Sequence, residues 1–135
     1  METENRKNDD FSKINIGTKE SSQTLLRKPV KVMGFKKENV TKKEDPNRVI
    51  GEKIILICKH PDREDPIEIS KIKYLKGDKV VSSGLWFNLD ADGLIPKQSA
   101  LAEMLNRYSC YCIDELVGKE LSTDLDGQYL VIKAY

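Results

Sequence analysis

Lys79-Val80-Val81-Ser82-Ser83-Gly84-Leu85-Trp86-Phe87-Asn88-Leu89 is the stretch whose reading decides the fold. Written as an extended chain, it puts Val81, Ser83, Leu85, Phe87 and Leu89 on one face and Val80, Ser82, Gly84, Trp86 and Asn88 on the other. That pattern predicts a strand with Leu85, Phe87 and Leu89 toward a core and Trp86 outward. Gly84 lies mid-strand, where barrels often turn a corner.

Working back toward the N-terminus, Lys76-Gly77-Asp78 reads as a turn. Ile67 to Lys76 reads as a strand with a change of phase, since Ile67 and Ile69 point one way and Ile72 and Tyr74 the other. A β-bulge near Ser70 would produce that change. His60 to Pro66 is a loop with two prolines. Lys53 to Lys59 is apolar on both faces, as a buried strand would be.

Working forward, Asp90-Ala91-Asp92-Gly93 is a turn. A helix is expected from about Lys97 to Tyr108, with Pro96 at its start and Leu101, Met104, Leu105 and Tyr108 on one apolar face. Ile113 to Gly118 reads as a short helical turn ending at glycine. Lys119 to Leu125 and Gln128 to Tyr135 read as strands joined by Asp126-Gly127, with Leu130, Ile132 and Ala134 inward.

The expected fold is mainly β: a small five-stranded OB-like barrel over residues 47–135, with one helix between strands 3 and 4. Residues 1–46 are expected to form a flexible basic N-terminal tail. Residues 1–23 are polar and too poor in bulky apolar side chains to offset their ordering entropy. Within the tail, Val30 to Phe35 reads as an early strand or an interaction motif, and Lys36 to Pro46 as a charged linker.

The stretches Ser99 to Leu105, Ile113-Asp114-Glu115-Leu116-Val117-Gly118-Lys119 and Gly127 to Ile132 resemble small OB-fold-type proteins of phages and archaea. In these, a helix rich in Ala and Leu leads to a (D/E)L(V/I)GK turn and a closing apolar strand. The resemblance covers the C-terminal third. It implies a barrel that binds single-stranded nucleic acid or serves as an assembly module.

Charge is divided along the chain. Residues 1–50 carry 12 Lys and Arg against 8 Asp and Glu, and residues 51–135 carry 11 against 14. The basic excess therefore belongs to the tail. Arg27, Lys28, Lys31, Lys36, Lys37, Lys42 and Lys43 are candidate tail contacts to nucleic acid or to an acidic partner. The bland alternative is a solubilising tether. On the barrel, Trp86, Tyr74 and Tyr129 are candidate stacking residues, with Lys71, Lys73 and Lys133 nearby to hold a phosphate backbone. The alternative is that Trp86 covers a helix or a second small core and the lysines are solvated strand faces.

Other chemistry has weaker signals. Cys58-Lys59-His60 and Cys110-Tyr111-Cys112 are spaced too closely for a usual structural zinc site, so no metal is expected. Asn88 to Gly93 resembles the start of a calcium loop but reaches Ser99 where a bidentate glutamate is needed. No phosphate loop, nucleophile elbow or HExxH motif is present, and no enzyme activity or cofactor is expected. Three cysteines and an N-terminus without an apolar core suggest a reduced, cytoplasmic protein. No apolar run is long enough to span a membrane. High Lys, Glu and Ile content is thermophile-like. The expected function is a non-enzymatic accessory module binding single-stranded DNA or RNA. The alternative is a protein–protein interaction subunit of a larger assembly, such as a DNA-processing one.

Overall fold

The computed structural model describes Ser12 and residues 25–135 of the chain. The disorder expected of residues 1–23 falls, apart from Ser12, outside the described residues. The fold is mainly β, and the described residues form two four-stranded sheets and one α-helix. The first sheet has the order β3-β2-β1-β6 and the second the order β5-β4-β8-β7; one of the two is a half-barrel. The strands are β1 Val30–Lys42, β2 Asp45–Lys59, β3 Ile67–Ile69, β4 Lys71–Lys76, β5 Lys79–Gly84, β6 Glu120–Leu121, β7 Thr123–Asp126 and β8 Tyr129–Ala134; helix α1 is Ala100–Arg107.

Two interrupted strands join the sheets. β3 pairs with β2, whereas β4, one residue later, pairs antiparallel with β5 and parallel with β8. The break at Ser70 is where the change of apolar phase predicts a bulge, and the Ser70 carbonyl accepts the Leu85 N–H at 2.9 Å. Ser122 does the same between β6 and β7, its carbonyl accepting the Lys133 N–H at 2.8 Å. Each bend thus keeps its carbonyl paired across the break.

The core lies between the sheets. Val30, Val32, Ile54, Leu56, Ile72, Leu85, Leu101, Met104, Leu116, Leu121 and Ile132 are fully buried there. Each large side chain of this kind contributes roughly 1.5–3 kcal/mol. Helix α1 closes the core with Leu101, Met104 and Leu105. It starts later than expected, because Ser99 caps it, its hydroxyl accepting the Ala102 N–H at 3.1 Å. Tyr108, at the helix end, donates its hydroxyl to the Lys133 carbonyl (2.6 Å) and accepts the Ser122 N–H (2.9 Å). It ties the helix to β8 and to the β6–β7 bend.

Three expectations change. Val30–Lys42, placed in the flexible tail, is a thirteen-residue strand. The boundary expected at residue 46 falls inside β2, just past the turn that joins it to β1. The reason is that most of β1 is solvated on both faces, so its strand pairing leaves no hydrophobic alternation to read. Lys79 to Leu89 is not one continuous strand: β5 ends at Gly84, and the chain crosses to β2 through a bridge between Lys53 and Trp86. Leu85 is buried and Phe87 packs against the core as expected, but Leu89, beyond the crossing, is 49% exposed.

Candidate functional site

Trp86 is positioned by glycine. Lys53 and Trp86 form an antiparallel bridge flanked by the bonds Ile54 N–H to Leu85 carbonyl (2.8 Å) and Phe87 N–H to Glu52 carbonyl (2.9 Å). In such a narrow pair the side chains share a face and stand close together. Gly51, two residues before Lys53, lies diagonally across. A Cβ there would come within 2.9 Å of Trp86 Cζ3, so the indole rests on bare backbone. Gly84 meets the indole nitrogen at 3.5 Å from its own absent Cβ. Trp86 remains 39% exposed, packed against the strand and open to solvent.

Two cations flank it. Lys53 shares its face by register, and Lys71 is paired across β4–β5 with Gly84. Neither makes an ion pair or a side-chain hydrogen bond among the described residues. Lys71 also lines an open groove with Glu68, Ser70, Tyr129 and Val131. Tyr129, at 64% exposure, lines the same groove. Lys71 thus borders Gly84, which lies beside the indole, on one side and the groove lined by Tyr129 on the other.

The remaining barrel candidates do not join them. Tyr74 packs against the core, on the same face as Ile72. Lys73 donates to the Leu125 carbonyl and lies 3.7 Å from Asp124. Lys133 lies over the Tyr135 ring, 4.9 Å from its centroid. Lys73 is drawn to Asp124, which accepts the Tyr135 hydroxyl at 2.7 Å, the Leu125 N–H at 2.8 Å and an Arg27 N–H at 3.4 Å. The Tyr135 hydrogen bond is the main reason that the Asp124 carboxyl is held down at about 2, with its own backbone bond, Lys73 and Arg27 adding to it. Lys73 thus serves a structural network.

The tail candidates sit on structure too. Lys28 pairs with Asp62 (2.9 Å) and Lys36 with Glu68 (3.0 Å). Lys37 lies 3.8 Å from Glu52 and over the Phe87 ring, 5.0 Å from its centroid. Lys31 lies in β1 opposite Lys59, and Lys42 and Lys43 are at the β1–β2 turn. Lys36 is raised above the ordinary lysine value by its hydrogen bond to Glu68.

The thiols and the histidine are separately accommodated. Cys58 is in the core, where burial pushes its thiol up to about 12; Cys110 is buried and Cys112 exposed. His60 is fully buried, its Nδ1 accepting the Asp62 N–H at 3.0 Å and its Nε2 donating to the Leu26 carbonyl at 2.8 Å. Both nitrogens are therefore occupied. Among the described residues no group of three or more His, Cys, Asp or Glu could hold a metal ion. The Asp90 turn spends its carboxylate on the N–H groups of Asp92 and Leu94. No helix of the described residues is long and apolar enough to cross a membrane.

Gly51 and Lys53 are site residues that strand reading of the sequence misses. The available signal is an isolated glycine inside a strand, which marks a close approach of another group. No family model matches the chain, and no similar curated protein or solved structure was found.

Proposed function

We propose that the protein is a non-enzymatic accessory module that binds single-stranded nucleic acid across Trp86, Lys53, Lys71 and Tyr129. The observation that carries this reading is the indole of Trp86, seated on Gly51 and open to solvent, between two cations with no ion-pair partner among the described residues. Stacking a base on such a ring is worth roughly 1–3 kcal/mol and needs no particular sequence. Lys53 and Lys71 would hold phosphates on either side, which makes the affinity salt-dependent.

The scaffold of this reading is an OB-like barrel. Taking residues 67–76 and 120–126 as single bent strands leaves five: β1, β2, the first bent strand, the second bent strand and β8. Their pairings, including the parallel β4–β8 contact and the β1–β6 contact, support that order, with α1 between the third and fourth. The first strand of this barrel is then Val30–Lys42, and β5 is an addition. The likeness to small OB-type proteins of phages and archaea belongs with the same reading, as does a cytoplasmic setting in which the three free cysteines stay reduced.

A second reading, docking on a protein assembly, draws on Leu75 and Val80, an exposed cross-strand apolar pair at the end of the β4–β5 hairpin. The two readings separate by titrating labelled single strands of DNA and RNA against the wild type and Trp86→Ala. Binding that Trp86→Ala weakens supports the nucleic-acid site. Binding that is absent, or unchanged by the substitution, overturns it.

A further inference from the structure

The single-strand site uses only the base of the β1–β2 ribbon. The barrel grips β1 through β6 at Val30 and Lys31, and grips β2 through β3 at Leu56 to Cys58 and through the crossing chain at Glu52 to Ile54. Beyond Glu38 and Glu52 the two strands pair only with each other. Four residues of β1 and seven of β2 therefore extend past the barrel as an arm. From Glu38 to Lys42 the rise is about 13 Å, at ~3.3 Å per residue.

We infer that this arm is a finger for double-helical nucleic acid, so that the substrate is a junction whose single strand crosses Trp86 while the arm enters the groove of its duplex. The inference rests on the single-strand reading above and extends it.

Charge and shape carry it. At the base of the arm the lysines are neutralised, Lys36 by Glu68 and Lys37 by Glu52. At the tip, Lys42, Lys43 and Arg48 make no ion pair or side-chain hydrogen bond among the described residues. They face two carboxylates in the same segment, and one of these, Asp45, turns back to accept the Asn47 N–H at 3.1 Å. A two-stranded ribbon is a width that the major groove of B-DNA admits, and the arm outreaches that groove's depth of about 8.5 Å.

The arm is also incomplete alone. A free two-stranded ribbon is marginally stable in water. This one exposes Val49 and Ile50 at 52% and 54%, and a register shift beside Val40 leaves Ile50 without a cross-strand partner. A protein adding a strand is the poorer occupant. The free edges carry Lys36, Lys37, Lys42 and Pro46, and charge and proline are the usual blocks to strand addition.

The test compares three labelled DNAs by fluorescence anisotropy: a single strand, a blunt duplex, and that duplex with a single-stranded overhang. Each is titrated with the full chain and with a variant carrying Lys42→Glu, Lys43→Glu and Arg48→Glu. The overhang substrate is expected to bind roughly tenfold or more tighter than either simple DNA, because two linked contacts add avidity. The variant, checked by thermal melting for an intact fold, should lose that preference and keep its single-strand affinity. Equal binding of overhang and single strand by the wild type would overturn the finger and leave the Trp86 site standing. Equal weakening of every DNA by the variant would overturn it as well, because the tip would then be adding only general charge. Failure of the wild type to bind any of the three would overturn both.

Discussion

Trp86 lies against Gly51 so closely that a methyl group at position 51 would stand 2.9 Å from the indole Cζ3. Real side chains do not tolerate that distance, so Gly51→Ala must push the ring off the strand or move the strand. Overpacking of this kind costs about 1–3 kcal/mol. The variant is expected to unfold earlier and to show altered Trp86 emission. Gly84→Ala, with its nearest contact at 3.5 Å, should change both much less. Thermal melts followed by tryptophan fluorescence check both variants.

Lys53 and Lys71 differ from Lys73 in having no ion-pair partner among the described residues. Replacing either of the first two with Gln should weaken single-strand binding and lower its salt dependence by about one phosphate contact. Lys73→Gln should leave the salt slope alone and lower stability, since Lys73 serves the Leu125 carbonyl and Asp124. Binding isotherms at several salt concentrations, set beside denaturant melts, separate the two outcomes.

Asp124 links stability to pH. Its carboxyl is held down at about 2, below the ordinary carboxylate range, chiefly by the Tyr135 hydroxyl. A depressed folded-state value means that its contribution is complete above about pH 4 and is lost as the pH falls toward 2. Allowing for screening at its partly exposed site, the contribution is on the order of 1–2 kcal/mol. Tyr135→Phe should flatten the acid limb of the stability curve between pH 4 and 2, read by urea melts across that range.

Ser109 has φ of 59°, the one non-glycine residue among those described with a positive value. It follows helix α1, where a left-handed residue lets the Cys110 N–H reach the Leu105 carbonyl at 2.8 Å. Glycine takes that conformation without the steric penalty of a Cβ. Ser109→Gly is therefore expected to raise stability by about 0.5–1 kcal/mol, seen as a higher denaturation midpoint with an unchanged slope.

Much of the β architecture can be read from the chain because most of its strands bury one face. The phase change at Ser70 locates the β3–β4 break, and the Leu130, Ile132, Ala134 alternation locates β8. The β1–β2 ribbon is hidden for the opposite reason. Lys36, Lys37, Glu38, Asn39 and Lys42 leave both faces solvated, so composition imitates a linker while backbone pairing makes a strand. The candidate site is half legible. Alternation places Trp86 outward and lists Lys71 and Tyr129 beside it. It cannot tell Lys71 from Lys73, because only the fold brings Asp124 to Lys73. Nor can it find Lys53, which reaches Trp86 through a bridge between distant segments.

The most direct measurement is the fluorescence of Trp86, the chain's only tryptophan, during titration with single-stranded DNA at low and moderate salt. Stacking on the exposed indole predicts quenching that saturates, and an affinity that falls as salt rises. Emission that does not change at either salt, with the DNA in excess, would contradict the Trp86 site.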